Sequence, residues 1–287
     1  ADQLGSAAGK GGIAIGYSAD TGDLSYSAIA IGNNATAAGS GTTGSIAIGE
    51  LANSTNTSTV AIGTSSNAVG DYTISIGQGA GATGVATNAD NIAVGQNAGV
   101  GVTGKQNIAL GLNAGNTVTG NFNLALGDKS GQQVKGDQNQ ASGNSSGQNV
   151  TGSWNLAYGS WSGSTVAGNQ NQAFGDSAGK NVTGDSNASI GSFAGQTVNG
   201  SKNVAFGPTA GNNVTGNDNI SIGSFAGDNV TASQTTSIGT SSKASANDAI
   251  AIGSSAQASG VSSISIGTGN VVSGANSGAF GDPTTIT

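Results

Sequence analysis

Along most of the chain an apolar, small, apolar triplet closes on a glycine, gives way to a polar run, and returns after 14 to 18 residues. The closing glycines are Gly16, Gly32, Gly49, Gly63, Gly77, Gly95, Gly111, Gly127, Gly143, Gly159, Gly175, Gly191, Gly207, Gly223, Gly239, Gly253, Gly267 and Gly281. Their intervals are 16, 17, 14, 14 and 18, then nine of 16, then three of 14. So short and regular a period predicts a solenoid, whose repeats contact chiefly their neighbours along the stack.

Triplets such as Ile250-Ala251-Ile252 and Ile264-Ser265-Ile266 alternate with period two, which predicts a β-strand with its larger residues on one face. A second, shorter strand is predicted around an unbroken valine column: Val102, Val118, Val134, Val150, Val166, Val182, Val198, Val214 and Val230. Glycines on either side supply the positive φ that tight turns need, and Pro208 and Pro283 are too few to interrupt the strands. Each repeat therefore reads as one two-stranded coil of a parallel β-roll. Eighteen such coils at about 4.8 Å each would stack to a length on the order of 85 Å. Asn91, Asn107, Asn123, Asn139, Asn155, Asn171, Asn187, Asn203 and Asn219 fill another column, predicted to be a structural ladder of amide hydrogen bonds.

The whole of 1–287 reads as one repetitive domain. Mixed-length coils run to about residue 94, uniform 16-residue coils fill 95–238, and 14-residue coils occupy 239–287 and point onward to a part beyond. One coil alone orders more backbone than its few apolar side chains can offset, so stacking must supply the remainder. A roll this thin keeps flat faces of small and apolar residues. Side-by-side association of several chains would cover one face of each, which predicts a homo-oligomer; a three-fold arrangement closes without leftover surface.

Composition narrows the function. Charged residues are 7% of the chain, the net charge is −7, and all seven basic residues are lysines, so neither nucleic acid nor an anionic lipid surface has a basic patch to meet. Cysteine, methionine and histidine are absent, which removes the commonest general base, thiolate chemistry and zinc-finger ligand sets. No cofactor or metal is expected, and no enzyme. Aspartates 128, 137, 176, 185, 218 and 228 scatter over several columns and form no calcium-binding acidic ladder. No stretch approaches a membrane-spanning apolar run, and the start ADQLGSAAGK lacks signal-peptide regions, so the chain reads as a piece of something longer that does not itself insert in a membrane.

The segments SIAIGE (45–50), TVAIGT (59–64), TISIGQ (73–78) and AIAIGS (249–254) resemble the head repeats of trimeric autotransporter adhesins of the YadA-like type. The 16-residue form with AGxxVTGxxN resembles a longer variant of that head, and VVSGANSGAFGDPTTIT (271–287) resembles a head repeat that continues past the last residue. The resemblance implies an all-β fold, a left-handed parallel β-roll, three copies of which form a head held away from a bacterial outer membrane on a coiled-coil stalk. It implies attachment to host extracellular matrix proteins or cell-surface receptors, on the bacterial cell surface. Heptad stalk and anchor barrel are absent from the sequence, as suits an isolated head, and Gln140, Ser142 and Gln172 depart from the apolar pattern; they are expected to form structural layers that pair across a symmetry axis or enclose water, with a ligand site as the alternative.

Candidate ligand contacts are the aromatics. Phe122 and Trp154 share one column, and Trp161, Phe193 and Phe225 share another, each spaced two coils apart. They form either an adhesive stripe suited to a protein or glycan surface, or rings that cover the glycine-rich turn of the next coil. The NVT triplets at 149–151, 181–183, 213–215 and 229–231 match glycosylation acceptors but follow from the repeat itself. A rigid spacer displaying another binding domain is an alternative function. Ice binding is a weaker one, because Lys135, Ala167 and Asn199 break the threonine column that starts at Thr103. A polysaccharide-acting β-helix enzyme would need longer, irregular coils around a cleft, and the coils here are short and uniform.

Overall fold

The computed structural model describes residues 10–23, 25–38, 44–81, 88–281 and 285–286. Among them every regular element is a β-strand, and none is a helix. The chain divides into two compact units, residues 1–140 and 141–287.

In the first unit the triplets form the strands Ile13–Ile15, Ile29–Ile31, Ile46–Ile48, Val60–Ile62, Ile74–Ile76, Ile92–Val94, Ile108–Leu110 and Leu124–Leu126. Each pairs in parallel with the next along the chain. Ile46, Ala47 and Ile48 lie against Val60, Ala61 and Ile62, and those against Ile74, Ser75 and Ile76. The second limb is thinner: Asn53–Ser54 pairs with Asn67–Ala68, and single bridges join Thr103 to Thr119 and Thr119 to Lys135. Successive parallel pairing of like positions makes this unit a parallel β-solenoid.

The second unit repeats the plan. Leu156–Tyr158, Gln172–Phe174, Ala188–Ile190, Val204–Phe206, Ile220–Ile222, Thr236–Ile238, Ile250–Ile252, Ile264–Ile266 and Gly278–Phe280 pair in that order, all parallel. Its second limb comprises Val150–Thr151, Val166–Ala167, Val182–Thr183 and Val198–Asn199, then Lys243–Ala244, Gln257–Ala258, Val271–Val272 and Thr285–Ile286. Of the predicted valine column, Val150, Val166, Val182 and Val198 thus adopt the extended limb that β-branched side chains favour, whereas Val214 and Val230 of the same unit lie outside its strands.

The strand pattern places small residues inside and large ones outside. Ala47, Ala61 and Ser75 are fully buried, while the isoleucines and valine on either side of them are half-exposed. Among the described residues valine is the largest buried apolar side chain, as at Val102, Val182 and Val230. Larger residues do share a face, as alternation requires, but that face is the outer one. The same geometry turns Gln140 and Gln172 to the exterior of the chain.

Two glycines show why the interior is so thin. Gly49 has φ +134°, and a Cβ on it would stand 2.6 Å from the carbonyl oxygen of Gly63 in the next coil. Gly163 has φ +54°, and a Cβ there would meet the Ala157 methyl at 2.7 Å. Positive φ is not confined to glycine, however. Asn97, Asn113, Lys129 and Ser145 hold one turn column at φ 53–54°, and Thr117, Gln133, Asn149 and Thr165 another at φ 53–61°. Glycine therefore supplies only part of the turn geometry that the sequence pattern assigns to it.

Candidate functional site

Two surfaces carry features beyond the repeat. The first is the outer face of the triplet strands. In the first unit Ile46, Val60, Ile74, Ile92, Ile108 and Leu124 stand in register one above another, with Ile48, Ile62, Ile76, Val94, Leu110 and Leu126 two residues along. In the second unit the face is more mixed: Tyr158 and Phe174 stack with ring centroids 5.2 Å apart and planes 2° from parallel, and Phe206, Ile220 and Ile222 are exposed. Such rows of apolar side chains left open on a single chain make this face a candidate interaction surface.

The second surface is the turn edge that carries the predicted aromatics. Phe122, Trp154, Trp161, Phe193 and Phe225 all adopt the left-handed conformation, with φ of 59°, 65°, 58°, 59° and 57°. Their exposures lie between 45% and 56%. Aromatic residues disfavour this region of backbone space, because a Cβ crowds the following carbonyl. The solenoid nevertheless imposes it: Trp161 N–H donates to the Asn144 carbonyl and Phe193 N–H to the Asp176 carbonyl, each one coil back, at 2.9 Å. Trp161 is partly covered by Lys180 of the next coil, whose Nζ lies 5.5 Å from the ring centroid. Within the second unit Trp161, Phe193 and Phe225 line one turn with Ser177 and Thr209 between them, and Trp154 occupies a different turn. Phe122 belongs to the first unit.

The predicted asparagine column is buried and hydrogen-bonded in both units. In the first, the Asn107 Oδ1 accepts from the Asn123 main-chain N–H at 2.9 Å and from Asn123 Nδ2 at 3.1 Å, while Asn107 Nδ2 donates to the Gly120 carbonyl at 2.9 Å. Asn91 opens this run by accepting from Asn107 N–H at 2.8 Å, and Asn139 donates back to Asn123. In the second unit Asn155, Asn171, Asn187, Asn203 and Asn219 repeat the arrangement, and Thr235 ends it by donating its N–H and hydroxyl to Asn219 Oδ1. A short primary amide offers one acceptor and two donors at this reach, and the coils from Asn91 to Asn219 use it throughout; outside them the same position holds Ser45, Thr59, Thr73, Thr235 and Ser263.

A second ladder escapes the sequence pattern. In several coils the residue after the second-limb glycine, or after the alanine in its place, lends a side-chain oxygen to the main-chain N–H of its counterpart one coil back. Ser153 N–H donates to Asn169 Oδ1 at 2.9 Å, Asn169 N–H to Asp185 Oδ1 at 2.7 Å, Asp185 N–H to Ser201 Oγ at 3.0 Å, and Ser201 N–H to Asn217 Oδ1 at 2.7 Å. Asn217, Ser233 and Asn247 continue it, and Lys105, Asn121 and Asp137 form the equivalent in the first unit. The signal was a shared chemistry, a short oxygen-bearing side chain, rather than a shared residue.

Among the described residues no three acidic side chains converge on a metal-sized site. No protein-family model matches the chain, and no curated protein matches it.

Proposed function

We propose that the chain is the head of a bacterial surface adhesin of the trimeric autotransporter, YadA-like kind. In this reading three copies of a left-handed β-roll, built from 14- and 16-residue coils, associate side by side outside the outer membrane. Multivalent contacts then attach the head to host extracellular matrix proteins or cell-surface receptors.

The observation that carries this reading is the outer row of half-exposed isoleucines, valines and leucines over an interior of alanine and valine. A chain whose largest apolar side chains point away from its own core gains their burial only by pairing with another surface. A like copy fits, because the row is regular over many coils and carries no charge. The repeat motifs and the exposed turn aromatics support the attachment role.

The test has two arms. Light scattering of the purified chain is expected to give a mass of three chains, and surface-immobilised collagen, fibronectin and laminin are expected to bind it saturably. A single-chain mass at working concentration overturns the assembly. A trimer that binds no matrix protein and no cell surface leaves a rigid spacer instead of an adhesin.

A further inference from the structure

Ser153 and Trp154, Asn169 and Gln170, Asp185 and Ser186, and Ser201 and Lys202 come from four successive coils of the second unit and line an open groove of about 650 Å³. Its shape follows from one turn column. Trp154, Gln170, Ser186 and Lys202 all lie in the left-handed region, at φ 65°, 59°, 58° and 60°, so their side chains leave the coil at the same point. A long ring at one end and a long amine at the other bracket the short Ser186. Three coil steps of about 4.8 Å place these ends on the order of 14 Å apart.

The geometry points to a subsite for an uncharged oligosaccharide, in which Trp154 stacks on the C–H face of one sugar ring while Gln170, Asp185, Ser186 and Lys202 bond its neighbours' hydroxyls. This rests on the reading of the chain as a binding head and names the chemistry that one of its surfaces takes. The indole is more than half exposed, and Gln138, Gln170, Ser186 and Asp218 hold the same turn position without a ring, so the coil does not need one there. Sugar hydroxyls require both donors and acceptors, and the groove offers both: amides, a hydroxyl, an ammonium, and a carboxylate whose Oδ2 stands outside the ladder bond made by Oδ1.

Other ligands fit less well. An extended peptide would add to a strand edge through main-chain bonds, but here Ser153, Asn169 and Asp185 N–H groups are already taken by the side-chain ladder. A sulfated glycan would meet a single lysine, an aspartate beside it, and a chain of net charge −7.

Titration calorimetry of the purified full chain with uncharged trisaccharides of glucose, galactose and N-acetylglucosamine, alongside a heparin oligosaccharide, tests this. At least one uncharged trisaccharide is expected to bind. Trp154→Gln and Asp185→Asn are each expected to weaken it at least about tenfold, with circular dichroism and thermal midpoint unchanged; both new residues already occur in the same columns, as Gln170 and Asn169. In Trp161→Phe, where Trp154 is the only remaining tryptophan, the sugar is expected to shift indole emission saturably. The inference is overturned if no uncharged trisaccharide binds up to about 10 mM, if binding ignores both substitutions, or if heparin alone binds. Matrix-protein binding measured in parallel separates the two readings. Matrix binding without sugar binding sinks the groove and keeps the adhesin, even where Trp154→Gln lowers it; sugar binding without any matrix or cell binding does the reverse.

Discussion

Asn203 donates both its main-chain N–H and its side-chain amide to one oxygen, Asn187 Oδ1, each at 3.0 Å. Asn187 in turn donates to Asn171 Oδ1 at 3.0 Å and to the Gly200 carbonyl at 2.9 Å. Every polar atom of this buried amide is engaged with an adjacent coil. Asn187→Ala strands donors of Asn203 and the carbonyl of Gly200, at about 1–3 kcal/mol for each buried group left without a partner. Asn187→Asp keeps the acceptor but loses both donors and buries a charge, and is expected to be worse than alanine at neutral pH. Thermal unfolding of both variants checks the order; an aspartate variant as stable as the parent would show that the ladder is not holding the coils.

Gly49→Ala tests the close approach of coils. Alanine at φ +134° is strained by about 1–3 kcal/mol before any contact is counted. The added Cβ would also sit 2.6 Å from the Gly63 oxygen. The backbone must then separate two coils whose strands, Ile46–Ile48 and Val60–Ile62, are paired on the same limb. The expected result is a loss of several kcal/mol by denaturant titration, larger than for Gly44→Ala, where a Cβ would meet nothing within 4 Å.

Phe193→Asn separates the two readings of the turn aromatics. The ring is exposed, and its backbone has φ 59°, a conformation that asparagine tolerates better than phenylalanine. If the ring serves an external partner, the substitution leaves stability within about 0.5 kcal/mol or raises it. A drop above about 1 kcal/mol in thermal or urea unfolding would instead make the ring a cover for the next coil.

The repeat was legible because a solenoid writes one structural position into one sequence column. Val182 and Asn187 could be assigned to a strand and a ladder from spacing alone. The direction of the triplet strands was not legible, since Ala47 and Ile46 are both apolar and period two does not say which side is in. Coil thickness decides it: the interior has room for a methyl beside Gly163-type turns and none for an isoleucine. The outer ladder was hidden because Asn169, Asp185 and Ser201 do not look alike until each is seen lending an oxygen to the N–H behind it. The left-handed turns were hidden for the opposite reason. Trp154 and Phe193 are residues that avoid that conformation, so nothing in their identity announces it.

The outer apolar row carries the last prediction. Ile48 and Ile76 stand two coils apart on the same column, with Ile62 between them, all half-exposed on one chain. Replacing both with lysine changes little within a single chain, because half-exposed positions let the ammonium groups reach water along their own stems. In a three-chain assembly with this row at its centre, six lysines would lose that water, at several kcal/mol for each charge left unpaired. Light scattering of Ile48→Lys/Ile76→Lys is therefore expected to show single chains, or dissociation at much higher concentration than the parent, with the β circular dichroism retained. Thr119→Lys on the second limb is the control, since Lys135 already occupies that column and bridges to it, and its mass should match the parent. Should the double lysine variant keep a multi-chain parent mass, the assembly does not use this row, and the isoleucines need a different occupant.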